Sequence, residues 1–286
     1  MVNINGKLVP DSEAKIDIGN RGYTYGDAVF ETIRVHSGDI LFWEAHYFRL
    51  MASMRILRMS IPDTFTPEFL KQEILDILSE NSAESHAVRI KIIVNRKEGG
   101  LYTPASREVD YMISMKVLEN DFYKIDSNKK YEVTLFKDHY VAADLLSTIK
   151  SNNKLVNILG GIFAKENDFD NCLLLNTNKM VVEALNGNLF LVSGNNIKTP
   201  PVSDGCLRGI MRLQIIAAIK KMQEYTLEEA SISPFELQKA DELFISNVII
   251  GVQPIKKFRK KEYAANFSKK IMDILNNKIV SEERIQ

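Results

Sequence analysis

The stretch from Leu118 to Lys130 is polar, carries Asn120-Asp121 and Asp126-Ser127-Asn128, and has neither a strand nor a helix period. A segment of that kind cannot sit inside a core, so it reads as the joint between two bodies. It divides the 286 residues into a domain at 1–120, a linker at 121–130 and a domain at 131–286. Each body falls near the usual domain length of ~100–200 residues. The composition, 45% hydrophobic and 26% charged, is that of an ordinary globular protein. Two lobes leave room for a ligand cleft.

The pattern before the joint is mixed. Residues 2–9, 28–35 and 40–43 read as strands, the last two around a turn at Ser37-Gly38-Asp39. Phe48, Met51, Ala52, Ile56 and Leu57 recur at helical spacing within 43–59, which Pro62 ends, and 69–78 gives a second helix. Strands at 88–94 and 111–117 flank a loop at 95–107. After the joint, strands at 131–136, 172–176, 181–183, 189–192 and 242–246 alternate with helices at 155–166, 206–222, 234–239 and 267–276. The fold class is α+β, with a small N-terminal lobe and a larger C-terminal lobe built on a mixed sheet.

Several function classes drop out. Lys plus Arg and Asp plus Glu are 37 each, so no net charge draws the protein to nucleic acid or to an anionic membrane. No apolar run approaches the ~18 residues of a spanning helix, and the first 15 residues do not resemble a signal peptide. Two cysteines, Cys172 and Cys206, make no disulfide framework, which fits a reducing cytoplasm. The four histidines form no close pair and no CxxC is present, so no metal site is expected. Walker A, strand-GxGxxG-helix and GxSxG signatures are absent. The basic run Lys256-Lys257-Phe258-Arg259-Lys260-Lys261 reads either as an anion patch or as a solvated strand edge, and in a neutral protein the edge is favoured.

What remains is a set of polar residues inside apolar segments. Lys150 closes Leu145-Leu146-Ser147-Thr148-Ile149-Lys150 just before an amphipathic helix. It is either a solvated helix-entry lysine or a desolvated amine able to form a Schiff base. Glu183 ends an apolar strand, where a carboxylate needs a cationic or donor partner. Arg208-Gly209-Ile210-Met211-Arg212 opens a helix, and its glycine lets backbone N–H groups approach a phosphate.

In order along the chain, these segments resemble the class IV aminotransferases, the pyridoxal-phosphate enzymes of fold type IV. Residues 20–34, from Asn20-Arg21-Gly22 through Tyr25-Gly26-Asp27 to Phe30-Glu31 and Arg34, are similar to the family's R-G-x-x-Y-G-D-x-x-F-E-x-x-R. His46-Tyr47-Phe48-Arg49-Leu50 looks like H-x-x-R-L, and Lys150-Ser151-Asn152-Asn153 like K-S-L-N. Val182-Glu183, with Asn188 and Phe190, follows V-x-E-x-x-x-x-N-x-F, and Thr199-Pro200 and Gly209-Ile210-Met211-Arg212 follow T-P and G-I-x-R. The resemblance runs from about residue 4 to residue 255.

It implies two lobes facing each other across pyridoxal 5'-phosphate, and a homodimer whose subunits complete each other's sites. It further implies that Lys150 holds the cofactor through a Schiff base and carries the proton to and from the substrate. Glu183 would keep the pyridinium nitrogen protonated. Arg49 would bind the cofactor phosphate, helped by backbone N–H groups of Gly209 and Ile210 and by a polar group near Asn247. Tyr25, Phe30 and Arg34 would line the substrate side, with Arg96 as receptor for a substrate carboxylate.

The activities that share this framework are L-amino-acid transamination, including branched-chain transamination, D-amino-acid transamination, and aminodeoxychorismate lyase chemistry, which releases pyruvate and 4-aminobenzoate. Branched-chain enzymes usually read K-x-G-G-N-Y and F-E-G, where this chain has Lys150-Ser151-Asn152-Asn153 and Phe30-Glu31-Thr32. Transamination between an amino acid and a 2-oxo acid is the expected activity, with the lyase as the alternative. A non-catalytic pyridoxal-phosphate-binding protein is the reading of another class, and the joint presence of Lys150, Glu183 and Arg49 argues against it.

Overall fold

Residues 1–126 and 128–283 are described by the computed structural model, and they divide into two units. The first comprises Met1–Phe122 and Ile149–Asn153, and the second Tyr123–Thr148 and the chain from Lys154 onward. Residues 149–153, read from sequence as part of the C-terminal domain, thus belong with the first unit. The reason lies in the backbone: Phe30 N–H donates to the Lys150 carbonyl, Asn152 N–H to that of Ala28, and Ser151 bridges Val29.

The first unit begins with a hairpin, β1 (Val2–Ile4) and β2 (Lys7–Val9), where the sequence suggested one strand. Asn5 at φ 50° and Gly6 at φ 81° turn the chain between them, a pair suited to positive φ. After a one-turn helix α1 (Arg21–Thr24) come β3 (Ala28–His36), β4 (Asp39–Ile40), α2 (Trp43–Ile56), α3 (Pro67–Glu80), β5 (Val88–Arg96) and β6 (Val109–Val117). The strands form a six-stranded sheet in the order β2-β1-β6-β5-β3-β4. Strand alternation decides what each face carries. Val29, Ile33 and Val35 of β3 join Ile90, Ile92 and Val94 of β5 in one core. Leu50, Met51 and Met54 of α2 and Leu70, Ile74, Ile77 and Leu78 of α3 complete it. The helix α3 starts at a Thr66 cap, whose hydroxyl accepts from Phe69 N–H, with Pro67 in its first turn. The alternate residues Phe30, Thr32 and Arg34 fall on the opposite face of β3.

The second unit contains β7 (Glu132–Val141), α4 (Leu155–Glu166), β8 (Asn171–Asn176), β9 (Val181–Ala184), β10 (Gly187–Ser193) and β11 (Asn196–Thr199). It continues with α5 (Ile210–Ile219), β12 (Thr226–Glu229), α6 (Pro234–Leu237), β13 (Glu242–Asn247), β14 (Gly251–Ile255), β15 (Lys257–Phe258), β16 (Lys261–Glu262) and α7 (Asn266–Glu283). Ten strands make a mixed sheet ordered β12-β11-β10-β9-β8-β7-β15-β16, with β13 pairing both β10 and β14. β7 and β8 are parallel, so the connection needs a crossover, and α4 supplies it. One sheet face packs Phe136, Cys172 and Leu174 against Ala164 of α4. The other holds Leu135, Leu173, Leu175, Val181, Ile232, Leu237 and Phe258. The basic run at 256–261 forms the β15–β16 hairpin at the end of the sheet, the strand-edge alternative of the sequence reading. No helix among the described residues is long and apolar enough to cross a membrane.

Candidate active site

In the first unit, Lys150 is half-buried, with its ammonium 4.6 Å from the centroid of the Phe30 ring. The backbone bonds from Phe30 and to Ala28 set the lysine beside β3 without using its side chain. Beneath the same strand, Glu31 is 1% exposed and receives Arg49 in a fork, Nε to Oε1 at 2.8 Å and Nη2 to Oε2 at 2.5 Å. His46 Nδ1 lies 2.7 Å from Glu31 Oε2, and since a carboxylate only accepts, the imidazole donates through Nδ1–H. Burial alone would raise the Glu31 pKa. The charge and hydrogen bonds of Arg49, with those of His46, outweigh it and hold the group at about 2. Burial pushes the His46 pKa down, and the charges of Arg49 and Lys150 add to this against the hydrogen bond to Glu31. His46 is therefore a neutral orienting group. Glu31 and His46 both stand in the quoted motifs, yet nothing in their spacing reveals that Glu31 holds His46 and Arg49 together.

Tyr25 and Arg96 share a cavity of about 370 Å³ with Arg21, Asp27, Tyr102 and Asn153. Arg96, expected to receive a substrate carboxylate, is bonded within the unit. Its Nε and Nη2 donate to the two oxygens of Asp27 at 2.9 and 3.3 Å, and Nη1 and Nη2 also donate to the carbonyls of Arg58 and Leu57. Asp27 also accepts from Arg21 Nε, so an internal carboxylate already fills the fork. Arg34, expected to line the substrate side, is buried. Its Nη2 donates to the carbonyls of Asn120 and Asp121, tying β3 to the end of the unit's main segment. Tyr25 packs under the Arg21 guanidinium at 4.6 Å.

In the second unit, Glu183 on β9 accepts from Leu207 N–H at 3.0 Å and from Asn188 Nδ2 at 3.4 Å. Asn188, buried on β10, also donates to the Leu207 carbonyl at 2.9 Å. The loop that leads into α5 is therefore held from both sides by Glu183 and Asn188. Gly209 is the N-cap of α5, and no side chain caps that helix. A Cβ on Gly209 would lie 1.9 Å from Asn188 Oδ1, so only glycine fits. The result is a cup of backbone at a positive helix end, with Ile210 as its first helical residue. Nearby in strand register, Ser246 pairs with Asn188, and its buried hydroxyl has no hydrogen-bond partner among the described residues. The Asn247 amide donates to the Asn186 carbonyl and its oxygen accepts from Ile249 and Ile250 N–H, so the side chain closes the β13–β14 turn. Asn188 is the residue that sequence reasoning left without a role, although it stands in the quoted Val182–Phe190 motif.

The two thiols are buried. Burial raises Cys172 to about 11, and burial together with the Glu183 charge raises Cys206 to about 12. Gly209→Ala is expected to displace Asn188 and open the cup, giving a purified protein that retains less of an added phosphate-bearing ligand on dialysis while keeping its circular dichroism. Retention equal to wild type would show that the cup does not bind the phosphate.

The sequence profile described as amino-transferase class IV matches residues 28–258. A D-alanine aminotransferase from Bacillus licheniformis is 26% identical over 297 residues, covering 98% of each chain. An aminodeoxychorismate lyase from Vibrio harveyi is 24% identical over 256 residues, 89% of this chain and 92% of that one. Among solved structures, the branched-chain aminotransferase of Thermoproteus uzoniensis with norvaline gives a TM-score of 0.86 at 24% identity, covering 96% of this chain and 92% of that one.

Proposed function

The chain belongs to the class IV aminotransferase family, and on that footing we propose the residues through which it works. It is a pyridoxal-phosphate-dependent aminotransferase that moves an amino group between an amino acid and a 2-oxo acid. The glycine cup at Gly209 and Ile210 and the orphan Ser246 hydroxyl fit a phosphate, and Arg49 is the cation proposed to neutralise it. Glu183, aligned by Leu207 N–H and Asn188, is assigned to the ring nitrogen of the cofactor. When bound, the cofactor supplies the electron sink that makes the substrate Cα–H acidic. Lys150 supplies the amine that anchors the cofactor covalently and then takes the Cα proton. The observation that carries this reading is the Lys150 ammonium presented over Phe30 by a backbone pinned to β3.

A carboxylate facing the ring nitrogen keeps its proton in place only while it is anionic. Glu183→Gln is therefore expected to bind cofactor normally and to slow Cα deprotonation by roughly 10²-fold or more. A solvent-exchange rate at Cα equal to wild type would reassign Glu183.

The partner is a second copy of the chain. Leu155, Ile158, Leu159 and Ile162 recur at helical spacing on α4 and are between 41% and 73% exposed, an apolar face that a monomer leaves in water. Ile158→Asp with Ile162→Asp should convert a dimer to monomers in sedimentation, and a monomeric wild type would refute the dimer. Both cysteines are free and buried, which supports a reducing, cytoplasmic setting.

The amino acid and its handedness are read by one experiment: single L- and D-amino acids are added to the holoenzyme without an oxo-acid acceptor. Loss of the cofactor's visible absorbance with one enantiomer is expected. The second reading, aminodeoxychorismate lyase, rests on Lys150-Ser151-Asn152-Asn153 and the Vibrio harveyi relative. It replaces the first if no amino acid changes the spectrum while aminodeoxychorismate yields pyruvate.

A further inference from the structure

The second unit contains a cavity of about 480 Å³ that none of the residues assigned to cofactor or substrate lines. Its floor is the open end of the sheet's inner core, Leu135 and Leu175, both nearly inaccessible. Met180 and Pro234 extend this apolar wall, and the rim carries two aromatic rings, Tyr140 and the 74% exposed Phe235. Around the same opening stand three cations, Lys137 from β7, Lys179 from the β8–β9 turn and Arg259 from the β15–β16 turn. The lining includes no carboxylate. Among the described residues, none of the three cations is ion-paired, and Arg259 has only the Phe258 ring, 5.3 Å away.

The backbone adds a second observation. Lys179 has φ 61° and Arg259 has φ 55°, so two of the cations occupy left-handed turn positions that glycine takes without strain. Two separate turns thus carry long cationic side chains where the fold would be served better by none, and both reach one cavity. Of the eight non-glycine residues with positive φ among the described residues, these are the two that line this cavity.

The size lies in the range of small-molecule sites, about 300–1,000 Å³. One carboxylate would leave most of the positive charge unmatched, whereas a phosphate ester brings close to two negative charges and a diphosphate more. We propose that this cavity binds an organic phosphate whose apolar or aromatic body rests on Leu135, Leu175 and the Phe235 rim while its phosphates meet Lys137, Lys179 and Arg259. The basic run of the sequence thereby acquires a role through Arg259, the one member that lines the cavity.

The test uses the holoenzyme, so that the cofactor's own phosphate site is filled, and titrates it calorimetrically with ADP, pyrophosphate and adenosine. ADP is expected to bind once per chain, more tightly than either pyrophosphate or adenosine, with an affinity that falls as salt rises. Lys179→Gly with Arg259→Gly should weaken ADP by about tenfold or more. Because glycine relieves both positive φ angles, this variant should fold and transaminate as wild type does. Phe235→Ser should weaken ADP and leave pyrophosphate unchanged. Absence of ADP binding at millimolar concentration, undiminished binding by the double variant, or pyrophosphate binding as tight as ADP would each overturn the assignment.

Discussion

Lys150→Ala is expected to lower turnover by roughly 10⁴-fold or more, because one amine serves as both covalent anchor and proton carrier. The loss should be chemical and not structural. The strap that presents this residue is fixed by its backbone, through Phe30 N–H to the Lys150 carbonyl and Asn152 N–H to Ala28, and alanine preserves both bonds. The side chain contributes a cation over the Phe30 ring, an interaction of about 1 kcal/mol at a half-buried position. Circular dichroism and the denaturant midpoint should therefore stay near wild type, and the cup at Gly209 should still take phosphate. Steady-state transamination measured beside cofactor content separates the two effects. A rate close to wild type would remove Lys150 from the mechanism, and a collapsed fold would show that the ammonium has a structural role beyond the strap.

Glu31→Ala should produce the largest stability loss. Its carboxylate is almost inaccessible and bonds both Arg49 and His46, so removal strips two buried donors of the anion they face. Breaking a buried pair of this kind costs about 3–5 kcal/mol. The interaction is also legible in pH. The carboxyl group is held at about 2 in the fold against an ordinary value of 4.5, so its contribution is fully present above about pH 4.5 and is lost as pH falls toward 2. It amounts to roughly 3 kcal/mol at neutral pH. Urea midpoints followed between neutral pH and pH 3 should fall more steeply for wild type than for Glu31→Gln, which has no proton to gain. Parallel curves would mean that Arg49 and His46 do not hold this carboxylate in solution. Transaminase activity should fall in Glu31→Ala as well, since Arg49 loses the partner that fixes its orientation.

The elements that sequence made visible are those whose periodicity spans several residues on a single face. α3 is read from Leu70, Ile74 and Ile77, although its start lies earlier than the apolar pattern, at the Thr66 cap and Pro67. β5 is read from Val88, Ile90, Ile92 and Val94. The two-residue strands β15 and β16 have no period to detect, and β12 depends on β11, a neighbour some 30 residues away in the chain. Among site residues, Lys150, Glu183 and Gly209 stood out because a lysine, a carboxylate or a glycine was unusual in its local setting. Arg96 shows the limit of such a setting: Asp27, 69 residues earlier in the chain, occupies its fork, and no local pattern marks that pair. Asn247 and Asn188 show the same limit. Both are asparagines at strand ends, and only the folded chain reveals that one closes a turn while the other clamps the loop above Glu183.

The strap at Ile149–Asn153 also governs how this protein can be made. Its partners on β3 are synthesised about 120 residues before it. When the first 122 residues leave the ribosome, Phe30 N–H and the Ala28 carbonyl still lack the backbone that will meet them, and closing so long a loop is entropically demanding. The first unit is therefore not a contiguous fragment that could be cut free at residue 122, since the piece bearing Lys150 is supplied by a later excursion of the chain. Completion of that unit and arrival of Lys150 are one event, so a nascent chain can finish the six strands of the first sheet but not the unit that holds them.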